Sequence, residues 1–375
     1  MDIPRWGAVL AGGALALVAG CSPATTADPG ELATDSPAAP APSPSSSPEP
    51  SPEPVPTPSS TPTPVPTSPL SGLPQIDPAP VLVVKLDNTR NAQPHAGLDA
   101  ADIVYIEEVE YGITRLAAVF ATSVPDRIGP VRSARITDLD LLEQYGSPAF
   151  SFSGVQRKMW PLIDSSPLID ISPNKAASAY RRDSSRRAPY NYFLDGSSGL
   201  AAAPEASVER SIGFVFDTAP PAGGKVGLSA RVDWPASSAE FRYDQASRLY
   251  TIAMNDRPAE AEGLDTGQRA ATVIIQYVEQ TPSKFFDKGG GNTPHAETIG
   301  EGDAVILRDG LRYAARWSRP DAESGTRFTT ESGDVIAFKP GQQWVVLADR
   351  TRPAILFPAP REESIEESVE DSPAD

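Results

Sequence analysis

The sequence predicts an α+β protein in which a mixed α/β N-terminal domain packs with a mostly antiparallel β C-terminal domain. Three observations carry that expectation. Strand-like and helix-like apolar patterns alternate between residues 81 and 163, short alternating segments separated by turn residues fill 214–347, and the flanks at 22–80 and 362–375 hold no aromatic side chain. The chain has 375 residues and a formal charge of −17, but the acidity is concentrated at its ends. Residues 22–84 hold six acids and no base, and residues 362–375 hold seven acids and no base; without these and the leader, 35 acids face 31 bases. The expected folded surface is therefore nearly neutral and need not repel an anionic partner.

Residues 1–21 read as a leader. Arg5 precedes an apolar, glycine-rich run, Trp6–Val18, that is too short to span a bilayer comfortably, and small residues follow. The string Leu17-Val18-Ala19-Gly20-Cys21 looks like a lipobox, and Cys21 is the single cysteine of the chain. Acylation at Cys21 would hold the mature protein on the outer face of the cytoplasmic membrane, because two long chains suffice for stable anchoring. Without a second cysteine, stability must come from core packing rather than disulfides.

Residues 22–79 read as a disordered spacer. Nineteen of the 41 prolines fall between Ser22 and Pro80, and no Phe, Tyr or Trp occurs between Trp6 and Tyr105. Such a segment favours polyproline II at ~3.1 Å per residue, a reach on the order of 100 Å or more if straight.

The N-terminal domain is expected over 80–205. Val81–Leu86 is a continuous aliphatic run, the pattern of a strand buried on both faces, and Asp87-Asn88 ends it. Gly97–Asp102 reads as a short helical turn. Ile103–Val109 and Ile113–Thr122 read as a hairpin bending at Gly112. Ile136–Tyr145 has helical spacing, with apolar residues at 136, 139, 142 and 145, stopped by Gly146. Phe150 and Phe152 alternate with serines in a strand, and Val155–Ile163 reads as a helix broken at Pro161. The C-terminal domain, 206–361, contributes strand-like segments at Phe214–Phe216, Phe241–Tyr243, Tyr250–Ile252, Thr272–Val278, Ala304–Leu307, Arg312–Trp317, Val335–Phe338 and Trp344–Leu347. Arg308-Asp309-Gly310 is a hairpin signal. Residues 362–375 read as a disordered acidic tail.

Candidate functional residues cluster in the first domain. Between Arg115 and Arg187 there are eleven bases against seven acids. Arg115, Arg132 and Arg135 surround the Gly129-Pro130 turn, and Arg181, Arg182, Arg186 and Arg187 precede Tyr190 and Asn191. Guanidinium groups beside aromatic faces suit carboxylate or phosphate recognition. The same arginines could equally be partners of Glu107, Glu108, Glu110, Asp138 and Asp140, and the Arg181–Arg187 run could be a solvated face or a loop.

Catalytic signatures are sparse. His95 and His295 are the only histidines, and neither a nucleophile elbow nor a P-loop is present. No cofactor or metal is expected; the counts disfavour a histidine- or cysteine-rich zinc site, and an all-carboxylate calcium or magnesium site stays compatible. Gly289-Gly290-Gly291-Asn292 reads as a loop rather than a phosphate cradle. Strand alternation would place Glu108 and Glu110 on one face, so a carboxylate pair for glycoside cleavage is geometrically open, beside the plainer reading of exposed strand acids.

Asp87-Asn88, Gly97-Leu98, Ala101-Asp102-Ile103-Val104-Tyr105, Gly112-Ile113-Thr114-Arg115, Ile128-Gly129-Pro130-Val131-Arg132-Ser133-Ala134-Arg135 and Tyr180-Arg181-Arg182-Asp183 resemble the YerB-like lipoproteins, a bacterial domain-of-unknown-function family. The string from Gly129 to Arg135 is the specific part, and Trp317-Ser318-Arg319 and Pro340–Val345 extend the resemblance to nearly all of 80–350. The chain departs from the family at Tyr190, where Pro-His-Asn is usual, and around His95, where Gln or Arg is usual. The resemblance implies a lipid-anchored envelope protein of two associated α+β domains, and it supplies no reaction. The function expected is non-catalytic binding of an anionic wall component or a wall-synthesis protein through Asp87, Asn88, Arg115, Arg132, Arg135, Arg181, Arg182, Tyr190 and Asn191, with no nucleic-acid partner. The alternative is a glycan hydrolase using Glu108 or Glu110.

Overall fold

In the computed structural model the described residues are 65–357. The leader, the Cys21 lipobox, most of the spacer and the acidic tail lie outside them.

The aliphatic run forms β1 (Leu82–Asp87), buried along its whole length. It pairs with the hairpin of β2 (Ile103–Glu108) and β3 (Thr114–Phe120), whose turn carries Tyr111 at φ 63 and Gly112 at φ 69. A Cβ at Gly112 would fall 2.5 Å from the Pro235 ring, so the bend needs glycine both for its φ and for room. Helix α1 (Ile136–Leu142) follows, continued by a 3-10 turn to Tyr145. The short strands β4 (Ala149–Ser151) and β5 (Ile169–Asp170) extend the sheet in parallel, with α2 (Trp160–Ser165) between them. Pro161 occupies the first turn of α2, where a missing N–H costs nothing, so it starts a helix that the sequence reading had it break. A separate hairpin, β6 (Tyr180–Arg182) and β7 (Tyr192–Leu194), leads to α3 (Gly196–Ala201).

The second half supplies two sets of strands. One comprises β8 (Lys225–Val226), β9 (Ser229–Trp234), β10 (Ser237–Asp244), β11 (Leu249–Met254), β12 (Arg257–Pro258) and β13 (Arg269–Ala270). The other comprises β14 (Thr272–Phe286), β15 (Asn292–Glu297), β16 (Gly300–Arg308), β17 (Leu311–Arg319), β18 (Arg327–Thr329), β19 (Gln343–Asp349) and β20 (Ile355–Phe357). Strands β12, β11, β10, β9 and β20 make a wholly antiparallel sheet, with β13 on β11. The larger sheet runs β18-β17-β16-β14-β19-β2-β3-β1-β4-β5.

That order ties the two halves together. Strand β19 lies parallel between β14 and β2, with Gln343 opposite Ile103, so one sheet runs through both halves and residue 205 does not divide two sheets. The last part of the expected spacer, from residue 65, belongs to the fold. Leu70 is buried in the core, and the Ser68 hydroxyl donates to Glu209 at 2.5 Å. Proline density marked 22–79 as one segment, but the Pro69-Leu70-Ser71-Gly72 turn buries Leu70 and folds. Phe214–Phe216 and Val335–Phe338 form isolated bridges rather than strands.

Each face of the large sheet has its own core. One is covered by the antiparallel sheet, as in the contact of Phe241 with Trp344, and by the region of β6, β7 and α3 around Tyr180 and Leu194. The other gathers Leu139, Leu142 and Tyr145 with Phe150, Phe152 and Trp317. Strands buried on both sides explain why β1, β2 and β19 read as continuous apolar runs.

Candidate functional site

The residues on one face of the three central strands turn from apolar to charged. Along β1 the series is Val83, Lys85, Asp87; along β3, Val119, Ala117, Arg115; along β2, Ile103, Tyr105, Glu107. Register places Asp87 and Glu107 on either side of Arg115. Over these charges lie α1, which brings Asp138, and the 128–135 segment, which brings Arg132 and Arg135.

Inside this cluster the pairing is close. Lys85, 0% exposed, donates from Nζ to Asp138 Oδ1 at 2.6 Å and contacts Glu107. Arg132 Nε donates to Asp87 Oδ2 at 2.6 Å, and Arg135 holds Glu110 Oε2 through Nη2 at 2.6 Å and Nε at 2.9 Å. Thr293 donates to the other oxygen of Glu110. Asp138 also accepts the Arg135 backbone N–H at 2.6 Å, capping α1. Arg115 is different: one Nη donates to the Ser133 carbonyl at 2.8 Å, and its buried Nε has no partner.

Burial dominates the protonation of this cluster. It lowers Lys85 to about 8 despite Asp138, and lowers Arg115 to about 9 with the help of Arg135 and Arg132. Burial works against the Asp87 and Glu110 carboxylates, but Thr89 and Arg132 hold the first below its usual range, and Arg135 holds the second there. Asn88 is likewise interior, donating to Thr114 Oγ1 at 2.8 Å. Arg132, Arg135, Asp87 and Asn88 thus have internal partners, as does one Nη of Arg115.

Glu108 and Glu110 do not form the expected pair. Strand β2 ends at Glu108, and the turn that follows breaks the alternation. Glu108 accepts from Arg352 at 2.7 Å, while Glu110 is held by Arg135 and Thr293. Each carboxylate already has its own arginine. The triglycine loop is the tip between β14 and β15: the Gly291 N–H donates to the Tyr111 hydroxyl at 3.0 Å, and a Cβ at Gly291 would sit 2.6 Å from the Tyr111 ring.

The Arg181–Arg187 run forms β6 and the turn after it. Arg181 donates to the Ser178 and Tyr180 carbonyls at 2.5 and 2.9 Å. Arg182 lies over the Tyr192 ring and donates to Asn191 Oδ1 at 3.1 Å. Arg186 is tied to the 91–94 loop, donating to the Ala92 and Pro94 carbonyls at 2.6 and 3.0 Å. Between the turn and that loop opens a cavity of about 640 Å³, walled by Arg90, Asn91, Gln93, Arg186, Arg187 and Tyr190, together with Ala188 and Pro189. No carboxylate lines it. Asp183 and Glu262 lie outside that lining and share one arginine, accepting from Arg127 at 2.6 and 2.9 Å. Arg90 and Arg187 are exposed and have no side-chain partner among the described residues.

Of the residues singled out from sequence, Arg186, Arg187 and Tyr190 line this cavity; Arg181, Arg182 and Asn191 stand beside it on the hairpin. Arg90 was overlooked because a lone exposed arginine after a turn carries no local signal, and only the fold brings the Arg186–Arg187 turn against the 91–94 loop.

A second feature joins α1 to β15. His295 Nε2 lies 3.0 Å from Asp140 and Nδ1 lies 3.2 Å from Glu297. The hydrogen bond to Asp140, opposed by burial and aided by Glu297, raises its pKa above the usual value. The stability this group adds is fully present below the unfolded value of about 6.5 and is lost as pH rises through the folded one. His295→Gln is expected to flatten the fall in melting temperature between about pH 6 and pH 8, read by thermal unfolding across that series.

Comparison with known proteins follows this geometry. Residues 70–210 match the N-terminal domain, and 230–345 the C-terminal domain, of a family described as protein of unknown function DUF3048. A Bacillus subtilis (strain 168) protein named "Putative lipoprotein YerB" is 25% identical over 295 residues, covering 74% of this chain and 85% of that one. The crystal structure of the YerB protein from Bacillus subtilis superposes with a TM-score of 0.66 at 20% identity, over 78% of this chain and 99% of that one, and supports the fold. With both halves matched in order, the chain belongs to the DUF3048 family.

Proposed function

We propose that this protein is a non-catalytic envelope module, lipid-anchored through Cys21 on the outer face of the cytoplasmic membrane, that binds an anionic wall polymer in the Arg90–Arg187 cleft. The carrying observation is the cavity of about 640 Å³ whose wall holds three arginines, one tyrosine and no carboxylate. Two unpartnered guanidinium groups facing one opening repel each other until an anion arrives, and their planar forks suit phosphate or carboxylate oxygens. The name of the Bacillus relative favours the anchor. This reading moves the ligand surface away from Arg115, Arg132 and Arg135, because Arg132 and Arg135 are occupied by carboxylates and Arg115 lies buried with its Nη on the Ser133 carbonyl.

The chain from residue 22 onward, incubated with isolated wall polymer, is expected to sediment with it at low salt and to be released by ~0.5 M salt, which shortens the screening length to a few ångströms. Arg90→Ala with Arg187→Ala is expected to abolish retention without changing the melting temperature. Retention unchanged in that double variant would overturn the assignment, and soluble sugar released from the wall material would favour hydrolysis instead.

The anchor has its own test. Cys21→Ser is expected to move the protein from the washed membrane fraction to the soluble one, since without acylation no pair of acyl chains remains to hold it. A variant that stays membrane-bound sinks the lipoprotein reading.

A further inference from the structure

The antiparallel sheet carries a second cavity, of about 400 Å³, between β10, β11 and the loop that returns from β12 to β13. Its wall includes Thr251 and Ile252 from the sheet, Arg257 from β12, and Gln268 at the end of the loop. Gln268 is 1% exposed, and neither its Nε2 nor its Oε1 has a hydrogen-bond partner. Its backbone is fixed, with the N–H donating to the Ala259 carbonyl at 2.7 Å. Gly267 before it sits at φ +64, where a Cβ would fall 2.8 Å from that same carbonyl. The amide is therefore held in place by a tight turn rather than left at the end of a free loop.

A buried carboxamide without partners costs about 1–3 kcal/mol per group, and native proteins rarely tolerate one unless something satisfies it. The group it asks for must accept from Nε2 and donate to Oε1 together, which is what another amide does. Charge in the wall is partly spoken for. Glu240 accepts from Arg242 Nε at 2.8 Å and lies 3.8 Å from Arg231, and Asp256, also in the wall, accepts from Arg231 Nη1 at 2.6 Å, so both carboxylates have arginine partners. Arg257 is exposed and has no side-chain partner among the described residues. Ile252, Pro258 and Ala259 supply an apolar floor, and the volume falls within the range of small-molecule sites.

We propose that this cavity is a second binding site that takes a small ligand carrying an amide beside a carboxylate, the amide pairing with Gln268 and the carboxylate with Arg257. That chemistry occurs in N-acetylated sugar acids and in the C-terminal residues of peptides. It differs from the anionic polymer assigned to the arginine cleft, and the two sites stand or fall separately.

Thermal shift and calorimetric titration of the chain from residue 22 onward, with N-acetylmuramic acid, N-acetylglucosamine and N-acetyl-alanyl-alanine as probes, separate the sources. A sugar acid that binds at least tenfold more tightly than N-acetylglucosamine identifies the sugar source, and preferential binding of the dipeptide identifies the peptide source. Gln268→Leu is expected to weaken the bound probe at least tenfold while leaving wall-polymer retention unchanged. Arg257→Ala, on the surface and safe for folding, is expected to remove the preference for a carboxylate. If no probe binds at millimolar concentration and Gln268→Leu simply raises the melting temperature, the amide is a hydrated core group and the proposal is wrong.

Discussion

Lys85→Met is expected to destabilise the protein by about 3–5 kcal/mol, the largest effect of any single change in the central cluster. The substitution keeps the volume and removes the charge, leaving Glu107 and Asp138, both essentially without solvent access, as two carboxylates facing an apolar end. Urea unfolding of purified protein reads the loss as a shift in midpoint at constant slope. Lys85 titrates at about 8 in the fold against 10.5 in its ordinary state, so taken alone it makes stability rise with pH between those values, the sign of a cation that burial costs more than Asp138 returns. Lys85→Met with Glu107→Leu and Asp138→Asn is accordingly expected to recover most of the loss. A triple variant no better than the single one would show that the triad stabilises the fold outright.

The second large effect distinguishes two arginines that look alike in sequence. Arg135→Ala is expected to cost about 3 kcal/mol, because its side chain is 11% exposed and Glu110, 5% exposed, would be left with Thr293 alone. Arg132 is 25% exposed, and its partner Asp87 keeps the Thr89 N–H and hydroxyl, so Arg132→Ala should cost about half as much. Both variants are expected to retain wall polymer as the parent does. Unchanged melting temperature together with lost retention, in either one, would return the ligand site to these arginines and remove it from the cleft.

Much of the local structure was legible. The β1 run, the β2–β3 hairpin bending at Gly112, the helix from Ile136 and the Asp309-Gly310 hairpin all follow from periodicity and turn chemistry, which act between near neighbours. What escaped depends on pairings between distant segments. Counting charge between Arg115 and Arg187 gave an excess of bases, yet two of the carboxylates that pair with them, Asp87 and Glu110, precede that window. Glu108 and Glu110 looked like neighbours on a face because the turn that ends β2 one residue after Glu108 has no marker other than Gly112. The cleft was half visible: the arginine run was plain, but Arg90 joins it only through the carbonyls that Arg186 binds in the 91–94 loop.

The insertion of β19 between β14 and β2 bears on how such a chain acquires its fold at all. Gln343 and Ile103 stand about 240 positions apart, so a chain made from its N-terminus waits for nearly its last strand before β2 gains its second neighbour. Until then β2 presents a bare, apolar edge, and closing so long a loop makes the step slow. Products that stop short of residue 343 lack the strand that joins β14 to β2, which leaves β2 with the kind of unpaired edge that favours aggregation. Completion of synthesis is thereby written into the sheet order itself.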